Sequence, residues 1–193
     1  MADLAYLAGT DQSSPLEPAM EVAVQTSDIT SRSPFDKYLR EEIRVHIDET
    51  RSWEEVQEFL KLTEYFDELI PVRFPDPHPR DPRVATVTFR RYHTTMRSEE
   101  VMREATDGEC CAIHGQALLD CLAMYLRCHP EAKQRDAGLI VMVSLVKSQG
   151  EGPEPMVVEL LYTPHDGERQ LRLSYHGQAW DHGTIFPLAP KPV

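Results

Sequence analysis

The run Cys111-Ala112-Ile113-His114-Gly115-Gln116-Ala117-Leu118-Leu119-Asp120-Cys121-Leu122-Ala123-Met124-Tyr125-Leu126-Arg127-Cys128 decides the fold. It is apolar on almost every side and stops ahead of Pro130, which reads as a central buried helix. Such a helix needs a sheet to cover it, and the residues that follow supply one. Leu139 to Val146 is a continuous apolar run, the pattern of a strand covered on both faces. Val157 to Tyr162 and Leu171 to Tyr175 flank Asp166-Gly167, a hairpin signal, and a last short strand is expected through Thr184 to Phe186.

Upstream, Ile43, Val45 and Ile47 alternate with Arg44, His46 and Asp48, as in a half-buried strand. Ser52 and Glu55 have capping-box spacing, and Trp53, Val56, Phe59, Leu60, Phe66 and Leu69 give an apolar stripe to a helix reaching about Leu69. Five prolines from Pro71 to Pro82 predict a stiff extended loop without regular structure, either a connector or a docking motif. Ala85, Val87 and Phe89 alternate as another strand, and Ser98 caps a short helix ending near Gly108. Residues 1–33 are rich in Ser, Thr, Asp and Pro and read as a disordered or loosely attached arm. The expectation is therefore one α+β domain over residues 34–193, with a central buried helix packed on an antiparallel β-sheet.

The 193 residues carry a formal net charge of −12, which repels phosphate backbones and argues against nucleic-acid binding. The densest basic stretch, Arg73 to Arg91, is interrupted by Asp76 and Asp81. A protein partner with a basic surface fits this charge better. The four cysteines, Cys110, Cys111, Cys121 and Cys128, fall on what reads as one helix, where they cannot staple a secreted domain. Reduced thiols in a cytoplasmic or other intracellular compartment are expected, with no signal peptide and no membrane span.

Chemistry is suggested by a thiol followed later by imidazoles. A cysteine in the first turn of a helix gains from unpaired amides and the helix dipole, and a histidine from a neighbouring strand completes an ion pair. Cys110 or Cys111 is the candidate nucleophile, and His182, His176 and His165 are the candidate bases. A cysteine on an apolar helix is equally a core residue, and Cys121 and Cys128 are read that way. Cys111, His114, Cys121 and Cys128 form a stripe that cannot be one zinc site, because His114 to Cys128 spans roughly 21 Å of helix. Cys111 and His114 with a ligand from elsewhere stay open as a metal pair, but no metal or cofactor is expected.

Asp107-Gly108-Glu109-Cys110 resembles the D-G-x-C motif of the ovarian-tumour (OTU) cysteine proteases, mostly deubiquitinases. Leu171-Arg172-Leu173-Ser174-Tyr175-His176 and His182-Gly183-Thr184-Ile185 resemble the strand and the histidine segment near that family's C-terminus. The resemblance implies a papain-like arrangement with Cys110 as nucleophile, His182 as base and the amides of Asp107 to Cys110 as oxyanion hole. Gly183 and Thr184 stand where the family has an aromatic residue and a carboxamide or carboxylate, so Asp181 or Asp107 is left to orient the ring. The implied activity is thiol-dependent cleavage at the C-terminus of ubiquitin or a ubiquitin-like protein. The competing class is a non-catalytic acidic protein-binding module, such as an immunity protein, an effector chaperone or a viral or adaptor protein. Exposure separates the two, since a catalytic thiol must be accessible beside an imidazole.

Overall fold

The computed structural model describes residues 38–59, 65–74, 81–149 and 154–191, and these build an α+β fold. In chain order the strands are β1 (Tyr38–Ile47), β2 (Tyr65–Phe66), β3 (Arg83–Tyr92), β4 (Met96–Arg97), β5 (Cys110–Ala112), β6 (Ile140–Ser144), β7 (Met156–Thr163), β8 (Glu168–Tyr175), β9 (Ala179–Trp180) and β10 (Ile185–Pro190). The helices are α1 (Trp53–Phe59), α2 (Ile70–Arg73), α3 (Ser98–Asp107) and α4 (Leu118–Cys128). Among the described residues eight strands form one sheet in the order β1-β3-β10-β6-β7-β8-β2, with β5 beside the end of β10; β4 and β9 form a separate pair.

The sheet is mixed rather than antiparallel throughout. β10 runs parallel to β6, and β2 runs parallel to β8. β10 enters the sheet between β3, to which it runs antiparallel, and β6. The hairpin at Asp166-Gly167 forms as expected: Gly167 takes φ +70°, and β7 and β8 pair from Met156↔Tyr175 to Thr163↔Glu168.

Alternation along the central strands divides the core in two. Ile140 and Met142 of β6 join one apolar cluster with Val158, Leu160 and Leu171, whereas Val143 and Leu145 join the other with Val157, Phe186 and Leu188. The first cluster is covered by α4, whose Leu118, Cys121, Leu122, Tyr125 and Leu126 are buried. Each such leucine contributes roughly 1.5–3 kcal/mol by leaving water. The second is covered by α3 through Val101 and Ala105. Of the apolar run Leu139–Val146, the strand Ile140–Ser144 is thus covered on both faces, as its composition predicts, whereas Leu139 is exposed.

The expected helix over Cys111–Cys128 is shorter. Cys110–Ala112 is a strand paired with Leu188–Pro190, Gly115–Ala117 is a turn of 3-10 helix, and only then does α4 begin. Gly115 is required there: a Cβ would lie 2.9 Å from two side-chain atoms of Val158 and 3.0 Å from the Trp53 ring. Of the helix expected to reach about Leu69, Trp53–Phe59 is helical among the described residues, and Tyr65–Phe66 is a strand instead. Its capping box is present, with Ser52 N–H donating to Glu55 Oε2 (2.7 Å) and Glu55 N–H to Ser52 Oγ (3.2 Å). Pro71, expected in an irregular loop, occupies the first turn of α2, where its missing N–H has no intrahelical partner to lose. The arm at 1–33, Leu60 of the α1 stripe and the central prolines Pro75, Pro77 and Pro79 lie outside the described residues.

Candidate functional site

The D-G-x-C segment closes a helix instead of opening one. Asp107 is the exposed last residue of α3. Gly108 N–H donates back to Glu104 O (3.2 Å) and Glu109 N–H to Thr106 O (3.1 Å). Glu109 then turns the chain with φ +56°, a conformation uncommon outside glycine, and Cys110 enters β5. The helix end beside Cys110 is therefore the carbonyl end, opposite to the amide end that the expected thiol activation uses. The Gly108 and Glu109 amides are also consumed by the last turn of α3, so neither is open to hold an oxyanion. The Cys110 thiol is half-buried, 3.4 Å from Gly108 O.

β10 keeps Cys110 and His182 apart. Cys110 lies opposite Pro190, whereas His182 sits in the exposed turn that precedes Ile185, closed by Thr184 N–H to Asp181 O (3.2 Å). From Ile185 to Pro190 the strand alone rises about 17 Å. The other side of the scaffold agrees. Trp180 Nε1–H donates to Ser98 Oγ at the start of α3 (2.8 Å), and Cys110 lies past the far end of that helix, about 15 Å along. Asp181 shares the His182 turn, and Asp107 is at the Cys110 end, so the three residues expected as nucleophile, base and orienter are not brought to one place. His165 is exposed in the β7–β8 turn and pairs with Asp166.

His176 behaves differently. It follows β8, its backbone N–H donates to Pro155 O (2.9 Å), and its side chain is 1% exposed. Neither ring nitrogen has a hydrogen-bond partner among the described residues. Burial, with Lys147 nearby, holds its pKa below the ordinary 6.5, against a smaller opposing pull from Glu99. Alternation along β8 puts His176 on the α3 face with Ser174, and so on the same face of the sheet as Cys110, which packs with the second cluster.

No group of three or more His, Cys, Asp or Glu side chains among the described residues could hold a metal ion. Cys111 is in β5, its neighbour His114 gives its backbone N–H to Glu49 Oε1 (3.1 Å), and burial pushes the Cys121 thiol far up. No helix of the described residues is long and apolar enough to cross a membrane. Compared with known proteins, the chain matches no family model, no curated protein and no solved structure.

Sequence reasoning missed a surface built by α1, β2 and α2. Trp53 anchors it: its Nε1–H donates to Phe74 O (2.5 Å) and its ring lies 6.2 Å from that of Phe66. Outside this anchor Phe59 (62%), Tyr65 (46%), Leu69 (56%) and Val72 (71%) are exposed, four of the seven large apolar side chains so placed among the described residues. Glu54, Glu55, Glu58 and Glu68, exposed on the same elements, are acidic, while the exposed Arg172 of β8 sets its guanidinium 5.5 Å from the Tyr65 ring centre. The only signal in the sequence is the apolar stripe that includes Phe59, Phe66 and Leu69, which reads as part of one helix.

Proposed function

We propose that this chain is a non-catalytic, acidic protein-binding module that docks a basic amphipathic segment of another protein on the α1–β2–α2 surface. The observation that carries the reading is the conjunction there of four exposed apolar side chains with four exposed glutamates. Scattered exposed apolar residues are ordinary, but a concentration of them with a mainly acidic rim, broken by Arg172 at Tyr65, supports an interaction surface. The acid side chains steer a cationic segment towards the patch, and Leu69 and Val72 then remove its apolar side from water. The overall charge of −12 favours the same class of partner.

The test titrates the protein with a synthetic Lys/Leu amphipathic peptide while backbone hydrogen exchange is followed. Protection is expected in α1 and α2, and Val72→Lys should weaken binding by about tenfold. Protection spread evenly over all acidic surfaces, or affinity unchanged in Val72→Lys, would overturn the docking site. A covalent adduct with ubiquitin bearing a thiol-reactive C-terminal electrophile, lost in Cys110→Ala, would replace this reading with the OTU-type peptidase.

A further inference from the structure

The sheet opens where β5 meets β10. β10 pairs with β6 at Ile185↔Met142, but from Leu188 onward its neighbour is β5. The end of β6 is tied to the segment after β5 by Ser144 Oγ–H to Ile113 O (2.6 Å), and Leu145, Val146 and Lys147 then leave the sheet. Between them and the first turn of α3 lies a cleft of about 560 Å³, within the usual range for small-molecule sites.

Its walls carry three kinds of chemistry. Met102, Ala112, Leu145 and Val146 form an apolar floor. Glu99 on α3 and Lys147 beyond β6 place opposite charges on the rim, and among the described residues the two are not paired with each other. His176 lines the same cleft, with both ring nitrogens buried and unpartnered among the described residues. A buried polar group left unmade is costly, so two such atoms on the wall of a cleft point to an occupant. Kept neutral, the imidazole offers one donor and one acceptor.

From this we infer that the cleft binds a small zwitterion with an apolar side chain, of the free α-amino-acid class. The ammonium group faces Glu99, the carboxylate faces Lys147 and the His176 ring, and the side chain lies on Met102, Ala112, Leu145 and Val146. A simple carboxylate forgoes the contact with Glu99, and a simple amine forgoes that with Lys147.

Calorimetric titration with L-leucine, L-methionine and L-phenylalanine, up to about 10 mM, tests this. At least one is expected to bind. Its amide, which lacks the carboxylate, and its deaminated acid, which lacks the ammonium group, should each bind about tenfold more weakly. Lys147→Met should weaken the amino acid but not the amide, and Glu99→Gln the amino acid but not the deaminated acid. Both substitutions are at exposed positions, so folding is preserved; Val72→Lys, on the docking surface, should leave binding intact. No binding by any of the three, equal binding by the analogues, or insensitivity to both rim variants would overturn the inference.

Discussion

The two faces of the central sheet are built from the same strands but finished differently. Under α4, Leu118, Leu122, Met142, Val158, Leu160, Leu171 and Ile185 are all buried in one cluster, and Gly115 lets the turn before α4 approach Val158 closely. Under α3, the cluster of Val101, Val143, Leu145, Phe186 and Leu188 is smaller and shares its face with Arg90 and His176. Those two residues hold four of the five buried side-chain polar atoms left without a partner among the described residues. Leaving such groups unmade costs stability, and among the described residues that cost falls mainly on the α3 face.

The largest effect that this contrast predicts is on the α4 face. Leu122→Ala removes a side chain that is 1% exposed and leaves a cavity among α4, β1 and β6, so unfolding free energy should fall by about 2–5 kcal/mol. Met102→Ala, on the half-buried wall of the α3 cleft, should cost under about 1 kcal/mol because solvent fills the space. Urea denaturation of both variants checks the pair. Equal losses would mean that the two faces are equally packed and that the cleft is closed in solution.

The faces also differ in how far the sequence revealed them. Strand–strand periodicity and the Asp166-Gly167 turn are local signals, and they located β1, β3, β6, β7 and β8, together with the α+β class. β5 carries no such signal: Cys110-Cys111-Ala112 is apolar without alternation and takes its conformation from Leu188–Pro190, nearly eighty residues later. The same gap in local information led the D-G-x-C resemblance to place Cys110 at a helix start. β10 extends past the expected Thr184 to Phe186 through Pro187 and Pro190, residues that carry no strand signal. His176 could be read as one of several histidines, but its burial depends on α3 packing across the sheet, which no spacing within β8 encodes.

Arg90 sharpens the contrast with a smaller effect. Its side chain is 4% exposed, its Nε and Nη1 lack partners, and its guanidinium lies 5.0 Å from the Tyr38 ring centre. The ring contact returns roughly 0.5–1 kcal/mol, while the unpaired donors cost a comparable amount. Arg90→Met should therefore change stability by less than about 1 kcal/mol in either direction, despite removing a buried charge. A loss above about 3 kcal/mol would show that the guanidinium is paired in solution, and the α3 face would no longer differ from the α4 face in this respect.

The smallest effect is in the pH dependence of His176. Its pKa in the folded protein is held below the ordinary 6.5 by burial and by Lys147, with Glu99 opposing. The unfolded chain therefore binds the proton first as pH falls, and stability must decline below about pH 6.5 until the folded-state group also titrates. Above that pH both states are neutral at this ring and the contribution is complete. For one group the slope cannot exceed about 1.4 kcal/mol per pH unit. The difference in unfolding free energy between the protein and His176→Gln, followed from pH 7.5 downward at roughly half-unit steps, isolates this ring, because every other group is common to both. The protein should lose stability relative to the variant as the pH falls. Parallel curves would show that His176 reaches solvent freely, and the α3 face would then lack the enclosed imidazole on which its contrast with the α4 face depends.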